Sequence, residues 1–133
     1  MKKILVIDDI RTLDIFNAEI TYCRTAEAGI DALYQKRFDE LHLDHDLGME
    51  VVKESAGGIL QAREREAMNG YQVLQYCKTK DITLPPVVRI ISSNPVGVKN
   101  IGDCLINDFG YTPTGWTGRT FEKHPAGMPL MRP

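Results

Sequence analysis

Two short acidic clusters are the residues of this chain best suited to chemistry. Asp8 and Asp9 directly follow an apolar run, and Asp44 follows another. Three carboxylates held together repel one another and raise one another's pKa unless a cation compensates their charge. Magnesium suits such a site because it takes one or two carboxylates and fills its other positions with water and phosphate oxygens. We therefore predict a Mg²⁺ site here; the alternative, that Asp8 and Asp9 merely end a strand and cap a turn, leaves the second cluster unexplained.

His45 and Asp46 extend the second acidic cluster. An imidazole between two aspartates offers a proton donor or acceptor to any phosphate bound nearby, so His45 is a candidate general acid or base. The alternative is a ring that lies in a surface loop without a catalytic role. Asp46 is predicted to add a backbone carbonyl to the metal, or a carboxylate that contacts the metal ligands.

A run of hydroxyl and amide side chains is predicted to form the other wall of the site. Ser92, Ser93 and Asn94 follow a further apolar run and precede a helix start. Hydroxyls at a strand end, followed by the exposed amides of a helix, are suited to binding phosphate oxygens. Because Asn94 also suits the N-cap of that helix, Ser92 is the stronger functional candidate.

Four apolar runs predict the strands that position these residues. They cover residues 3–7, 20–23, 41–43 and 86–91. After Lys3 the first is apolar throughout, which is typical of a strand buried on both faces of a parallel sheet. His42 alternates with two leucines in the third run, so we predict a hydrogen-bonded structural histidine there.

Three further segments have helical spacing. They cover residues 25–36, 70–78 and 94–110, and the charged stretch 61–66 could extend the second backwards. Thr25 and Asn94 suit N-caps, Pro95 suits the first helical position and Gly110 the stop. Strands alternating with helices predict a flavodoxin-like, doubly wound α/β sheet of order 2-1-3-4 with helices on both faces. Ligands bind at the carboxyl ends of the strands in such a sheet, where both acidic clusters fall.

Two connections depart from this scheme. Roughly ten residues separate Asp9 from the second strand, which is too few for a crossover helix with its turns, so the first helix is predicted to be reduced to a loop. Residues 49–69 form a long polar connection that predicts a lid or binding loop beside the site, or else a disordered segment. The alternating charges of residues 63–66 predict a solvated helix face.

The C-terminal part of the chain gives no strand signal. The residues after Gly110 are rich in turn formers and lack an apolar run of strand length. We therefore expect a single domain over residues 1–111 and an irregular tail over 112–133, packed by Trp116 and Phe121, with the fifth strand missing.

Length, charge and cysteine content exclude several classes of protein. A chain of 133 residues is long enough for one core and short for two domains. Its 16 basic and 18 acidic residues are scattered and give a net charge of -2, which argues against duplex nucleic acid as a partner. The first apolar stretch is too short for a signal peptide or spanning helix, and three widely spaced cysteines form no metal or disulfide pattern. We expect a cytoplasmic protein without membrane association.

Several motifs together resemble the receiver domains of two-component response regulators. They are Ile4-Leu5-Val6-Ile7-Asp8-Asp9, the strand-end Asp44, Gly70-Tyr71-Gln72-Val73-Leu74 and the strand-end Ser92. The resemblance implies that Asp8 and Asp9 bind magnesium together with the carbonyl of Asp46. It also implies that Asp44 is the phosphoacceptor and that Ser92 hydrogen-bonds to the phosphoryl group. The predicted absence of a fifth strand, and of the lysine that it presents in the family, argues against phosphoryl-driven switching.

A second set of motifs is similar to a divergent receiver family that is proposed to process cyclic phosphates. It comprises Leu43-Asp44-His45-Asp46-Leu47-Gly48, Ser93-Asn94-Pro95-Val96-Gly97 and Asn100. This resemblance adds Asn100 to the candidate phosphate-binding residues Ser92, Ser93 and Asn94. Members often carry a histidine before the serine of the second motif, where this chain has Ile91, so His45 would act with the metal alone.

Two hypotheses of different classes follow for the function. The first is a Mg²⁺-dependent site that binds a small phosphorylated ligand or an RNA-end cyclic phosphate and hydrolyses a cyclic phosphate or phosphodiester. Its catalytic residues would be Asp44, His45 and Ser92, with the metal polarising a phosphoryl oxygen and His45 protonating the leaving oxygen. The second is a non-catalytic receiver that signals through phosphorylation of Asp44, or that acts as a binding module.

Overall fold

The computed structural model of the chain describes residues 1–123, apart from most side chains within 49–66. In chain order its elements are β1 (Lys2–Ile7), β2 (Ala18–Cys23), α1 (Ala26–Gln35), β3 (Glu40–Leu43), β4 (Met49–Ala56), β5 (Ile59–Glu66), α2 (Gly70–Thr79), β6 (Val87–Ile90), α3 (Pro95–Phe109), β7 (Thr112–Thr114) and β8 (Thr120–Glu122). Six strands form one sheet in the order β2-β1-β3-β6-β8-β7, and β4 pairs with β5 alone. No helix among the described residues is long and apolar enough to cross a membrane.

The four strands predicted from the apolar runs are parallel and lie side by side as β2-β1-β3-β6. This confirms the flavodoxin-like α/β class and the order 2-1-3-4. The register places Ile7 opposite both Cys23 and Leu43, and Leu43 opposite Ile90. Because the strands end in phase, the residues that follow them all emerge at one carboxyl edge of the sheet.

The three predicted helices are present, and their ends match the predicted caps. The Thr25 side chain accepts a hydrogen bond from the amide of Ala28 at the start of α1. Asn94 caps α3 in the same way, Pro95 is its first residue and Gly110 ends it with φ +75°. At the start of α2, Asn69 and Gln72 form a capping box that the sequence analysis did not identify.

All three helices pack on the same face of the sheet, so the expectation of helices on both faces is not met within residues 1–123. A Cβ added to Gly29 of α1 would meet the Ile7 side chain, and one added to Gly102 of α3 would meet Phe121. α2 packs against both neighbouring helices. The reason is the β1–β2 connection, which has no helix, as predicted. This connection is held instead by the Tyr22 hydroxyl, which hydrogen-bonds to both the amide and the carbonyl of Leu13.

The connection after β3 is a hairpin rather than an irregular loop, so the prediction of a helix in its charged stretch is wrong, while its role as a lid or binding element stays a prediction. β4 and β5 pair in antiparallel fashion over their full lengths. Gly57 and Gly58, both with positive φ, form the two-residue turn between them, as short hairpin turns require. Alternating charges at 63–66 fit a strand as well as a helix face, and the glycine pair was the signal that distinguished the two.

The C-terminal segment is also ordered into strands, so the predicted irregular tail is wrong for residues 112–122. β8 runs antiparallel to β6, and β7 pairs with β8. Phe121 is buried opposite Val88, as expected of a packing residue, whereas Trp116 is 94% exposed and does not pack. Strands of three residues are too short to show an apolar pattern in the sequence. They form here because β8 pairs with the free edge of β6. Residues 124–133 of the predicted tail lie outside the described part of the chain.

Candidate metal and phosphate site

Three carboxylates converge at the carboxyl edge of the sheet. Asp8 and Asp9 follow β1 and Asp44 follows β3, and one ligand oxygen from each lies within 4.8 Å of the other two. The Asp44 amide donates to the Ile7 carbonyl at 3.0 Å, which continues the β1–β3 pairing beyond the strand ends. Asp8 and Asp44 are buried. The structure therefore brings together the three residues that the sequence analysis predicted as metal ligands.

Arg11 is a charged residue of this site that the sequence analysis missed. Its Nη1 lies 3.1 Å from Oδ2 of Asp8 and 3.6 Å from Oδ2 of Asp44. The Arg24 guanidinium holds the loop in place, since it donates to the backbone carbonyls of both Asp8 and Arg11. The signal available in the sequence was the position of Arg11, two residues after the acidic pair in a connection too short for a helix.

Asp8 and Asp44 have opposite pKa shifts, although both are buried. Burial raises the pKa of Asp8, but hydrogen bonds from the amides of Ile10 and Arg11 and from the Arg11 guanidinium outweigh it, so the net pKa lies below the ordinary value. Burial and then the charge of Asp8 raise the pKa of Asp44 above its ordinary value, against the opposing effect of Arg11. The expected elevation of the pKa thus holds for Asp44 but not for Asp8, because two backbone amides and the Arg11 guanidinium stabilise the ionised Asp8 carboxylate.

Glycines allow the backbone to approach these carboxylates closely. A Cβ on Gly70, the first residue of α2, would lie 2.2 Å from the carbonyl oxygen of Asp44. The Gly70 amide donates to the His45 carbonyl at 2.8 Å. Gly48 has φ +75°, and a Cβ there would lie 2.9 Å from Oδ2 of Asp9. Larger residues at either position would displace the backbone or the carboxylates of the site.

His45, Asp46 and Asn94 form a hydrogen-bonded chain beside the carboxylates. Nδ1 of His45 lies 2.8 Å from Oδ1 of Asp46, and the side-chain Nδ2 of Asn94 lies 3.5 Å from Oδ2 of Asp46. The His45 side chain is only 14% exposed because its ring packs where a Cβ on Gly97 would otherwise lie. The Asp46 carboxylate therefore orients the ring and leaves Nε2 as the nitrogen available for proton exchange.

The residues that follow β6 form the second wall, but not all of the predicted ones share it. Ser92 is buried, and its Oγ accepts a hydrogen bond from the backbone amide of Asn94 at 3.0 Å. The hydroxyl of Ser92 therefore keeps its own O–H free to donate. Ser93 is exposed, and the Asn94 oxygen is used to cap α3. Asn100 lies farther along α3, in a groove that Tyr71 also lines. None of Asp8, Asp9 and Asp44 contributes to this groove.

The donor set fits a magnesium ion. Oxygen ligands at the usual Mg²⁺ distance lie at most roughly 4.2 Å apart across the octahedron, and the oxygens of Asp8, Asp9 and Asp44 lie within 4.8 Å of one another, so small side-chain rotations would bring them onto one ion. Buried carboxylates of like charge need a cation nearby, and the arginine at this edge compensates them only partly. The residues could thus hold Mg²⁺ once Arg11 moves aside or shares the carboxylate oxygens.

Comparisons with known proteins agree with this architecture. Residues 3–107 match the family model of the cyclic-phosphate processing receiver domain. No curated protein sequence is significantly similar to the chain. One similar solved structure is a fusion that carries the yeast Spc42 trimeric coiled coil, with 20% identity and a TM-score of 0.49 over 75% of this chain and 61% of its own. Another is the MaeR response regulator bound to beryllium trifluoride, with 18% identity and a TM-score of 0.45 over 75% of each chain.

The chain thus spans less than two thirds of the first of these structures, and both similarities are too low to carry an argument about the site. The family match is of a different kind, because it covers most of the sequence and includes all the strands and helices that build the carboxylate edge. This chain belongs to the family of cyclic-phosphate processing receiver domains.

Proposed function

We propose that this protein is a Mg²⁺-dependent hydrolase of a cyclic phosphate or phosphodiester, acting on a small phosphorylated ligand or on an RNA-end cyclic phosphate. The observation that carries the proposal is the clustering of Asp8, Asp9 and Asp44 within 4.8 Å at one sheet edge. The hydrogen-bonded pair of His45 and Asp46 lies at the same edge. The site thus combines donors for a hard cation with an oriented imidazole, which phosphate ester hydrolysis requires.

Each residue of the site has a separate task in this proposal. The three aspartates hold the metal, which when bound supplies Lewis-acid polarisation of a phosphoryl oxygen. Ser92 donates its O–H to a second phosphoryl oxygen, because its lone pair already accepts from the Asn94 amide. Asp46 keeps the His45 ring in position. Asp8, Asp44 and Ser92 are buried, which limits the access of water to the oxygens that they would contact.

The reaction opens the cyclic ester by attack of water on phosphorus. The bond from phosphorus to the water oxygen forms as the bond to one ester oxygen breaks, and Nε2 of His45 gives its proton to that leaving oxygen. The attacking water releases its proton to solvent and the imidazole takes one up from solvent, so the products are a phosphate monoester and an unchanged site. His45 acts on the leaving oxygen alone, because this chain has Ile91 where the similar family often has a second histidine.

Incubation with 2′,3′-cyclic AMP and Mg²⁺, with and without a chelator, tests this function directly. We expect hydrolysis that requires the metal, and a loss of rate of about 10²- to 10⁴-fold in His45→Ala, the share typical of general acid–base catalysis. Mg²⁺ affinity measured by calorimetry should change little in that variant, whereas Asp44→Asn should reduce both the rate and the affinity. His42→Ala is the matched control, since that histidine pairs with Glu40 in the sheet.

The second candidate function is a non-catalytic receiver. Burial and the Asp8 charge raise the pKa of Asp44, which directly follows the end of a strand as a phosphoacceptor of this family would. Acetyl phosphate with Mg²⁺ should then add one phosphoryl group to Asp44, visible as an acid-labile mass increase that His45→Ala leaves intact. Labelling without hydrolysis of the cyclic nucleotide would overturn the hydrolase and support the signalling module. Absence of both labelling and hydrolysis would favour a protein that only binds its ligand.

The same proposal includes a reducing, cytoplasmic location. Cys23, Cys77 and Cys104 are free and buried. Burial raises the pKa of Cys77 to about 11, so its thiol stays protonated and unreactive near neutral pH. Buried, unpaired thiols of this kind are typical of proteins that work in reducing compartments.

A further inference from the structure

The turn between β7 and β8 lies at the same edge of the sheet as the carboxylates. β8 runs antiparallel to β6, and Thr120 at its start lies opposite Arg89 near the carboxyl end of β6. The Ile90 amide donates to the Arg119 carbonyl at 2.8 Å, so the pairing continues one residue beyond β8. Residues 115–119 therefore lie beside the carboxyl end of β6, close to Ser92.

Arg119 links this turn to the residues that follow β6. Its Nη1 donates to the Ser92 carbonyl and lies 3.5 Å from the Ile90 carbonyl. Its backbone amide donates to Oγ1 of Thr117 at 3.2 Å, within the turn. The half-buried arginine thus couples the position of the turn to the residue whose hydroxyl faces the proposed phosphate.

Trp116 projects from this anchored turn into solvent. It is the only tryptophan of the chain, and it is 94% exposed, whereas Phe121 in the following strand is buried. Leaving an indole in water forgoes the stabilisation that its large apolar surface provides on burial. The Cα atom of Trp116 lies at most three Cα–Cα steps, or about 11 Å, from the Cα atom of Arg119, whose guanidinium donates to the Ser92 carbonyl. The indole therefore belongs to a turn at the edge of the sheet that carries Ser92.

We propose that Trp116 stacks on the nucleobase of a nucleoside cyclic phosphate whose phosphate lies at Ser92 and the three aspartates. The inference rests on the proposed function for the position of the phosphate and adds the substrate class, a nucleotide in place of a base-free phosphate ester. A flat aromatic surface binds any base by stacking. The turn therefore selects for a base without selecting its identity.

The single tryptophan makes the test direct. The full chain with saturating Mg²⁺ is titrated with 2′,3′-cyclic AMP and, separately, with glycerol 1,2-cyclic phosphate, which has no base, using His45→Ala to prevent turnover. We expect the nucleotide alone to quench the tryptophan fluorescence. By calorimetry, Trp116→Ala in that background should weaken nucleotide binding by about 5- to 150-fold, the range expected for loss of one base stack. Binding of the base-free ester should be unaltered, and Trp116→Phe should restore most of the nucleotide affinity.

Phe16→Ala is the matched control. That ring is 97% exposed, as Trp116 is, but it lies two residues before β2 and hence at the opposite, amino edge of the sheet. Its removal should change neither affinity. Equal nucleotide affinity of the His45→Ala proteins with and without Trp116→Ala, with both ligands bound, overturns this inference and leaves the hydrolase proposal standing. Binding of neither ligand by the unsubstituted Trp116 protein overturns both.

Discussion

At the scale of single residues, Arg11 determines how the acidic edge is stabilised before any metal binds. Its guanidinium contacts both buried carboxylates, at 3.1 Å from Asp8 and 3.6 Å from Asp44. A metal at the same oxygens would compete with it, because both cations need the same lone pairs. The side chain is one third exposed, so it can swing out into solvent when a metal takes its place.

Arg11→Gln should therefore destabilise the metal-free protein and strengthen magnesium binding. Loss of the charged partner of a buried carboxylate predicts a fall of about 1–3 kcal/mol in the free energy of unfolding, measured with urea in the presence of a chelator. Calorimetry should then show tighter Mg²⁺ binding than in wild type. Lys99→Gln, which removes an exposed pair with Asp103 on α3, should change stability by less than about 0.5 kcal/mol. Weaker Mg²⁺ binding in Arg11→Gln would mean that the arginine supports the metal rather than competes with it.

At the scale of secondary structure, the sheet face opposite the three helices carries a charged network beside the buried side chains of Ile4 and Val6. Glu40 is buried on β3 and contacts Nε2 of His42 and Nζ of Lys2, each at 3.0 Å, and Nε of Arg89 at 3.7 Å. Burial raises the pKa of Glu40, but the hydrogen bonds from His42 and Lys2 and the two positive charges outweigh it and hold the pKa below its ordinary value. The predicted structural role of His42 is confirmed by this pairing.

This network makes the stability of the protein depend on pH. Because the folded-state pKa of Glu40 lies below its unfolded value, ordinarily 4.5, the ionised carboxylate stabilises the fold above that pH. The contribution disappears as the pH falls through the folded-state pKa. At pH 7, Glu40→Gln should lower the free energy of unfolding by about 1–3 kcal/mol, and below pH 4 the difference from wild type should shrink. Glu19→Gln, at an exposed position on β2, should show no such dependence; an equal deficit for Glu40→Gln at both pH values would exclude the charge as its cause.

The β7–β8 hairpin belongs to the same scale, since it completes the edge of the sheet. Phe121 is buried and packs against Gly102 of α3. Phe121→Ala should cost about 3–5 kcal/mol of unfolding free energy, the usual range for a buried aromatic ring. Trp116→Ala, in the adjoining turn, should cost less than about 0.5 kcal/mol because its ring is exposed. Chemical denaturation of both variants measures this, and a negligible effect at Phe121 would mean that the segment after Gly110 is not part of the core.

At the scale of the whole molecule, the proposed metal binding would be linked to folding. Asp8 and Asp9 are adjacent in sequence but Asp44 lies far from them along the chain, so the unfolded chain does not hold the three carboxylates together. A ligand that binds the folded state alone stabilises it by mass action.

Magnesium should accordingly raise the melting temperature of the chain. At a concentration one hundred times Kd the gain is about 2.7 kcal/mol in the free energy of unfolding. Asp9→Asn should abolish this gain and, by relieving repulsion, should stabilise the metal-free protein slightly. Asp14→Asn removes an exposed carboxylate from the same connection and should leave the magnesium response as in wild type. A wild-type melt that ignores millimolar Mg²⁺ would identify the cluster as a structural acidic edge.

The amino-acid sequence alone was enough to predict the parallel sheet, its strand order, the three helices and the three clustered carboxylates. Continuous apolar runs ending in Asp8 or Asp44 specify buried parallel strands, and Thr25, Asn94 and Gly110 specify helix ends, because these signals are local and act within a few residues. Parallel strands that end in phase then bring their last residues to one edge. No further information was needed to place the aspartates together.

The C-terminal strands, the role of Arg11 and the exposure of Trp116 could be read only from the folded chain, because each depends on residues distant in sequence. The short strands β7 and β8 form against the free edge of β6, and three residues of turn-forming sequence do not indicate such pairing. Arg11 gains its role from Asp44, which lies on another strand. Trp116 and Phe121 have similar apolar character in the sequence, yet β8 buries one and its turn exposes the other, since the pleat and the turn set the direction of each side chain.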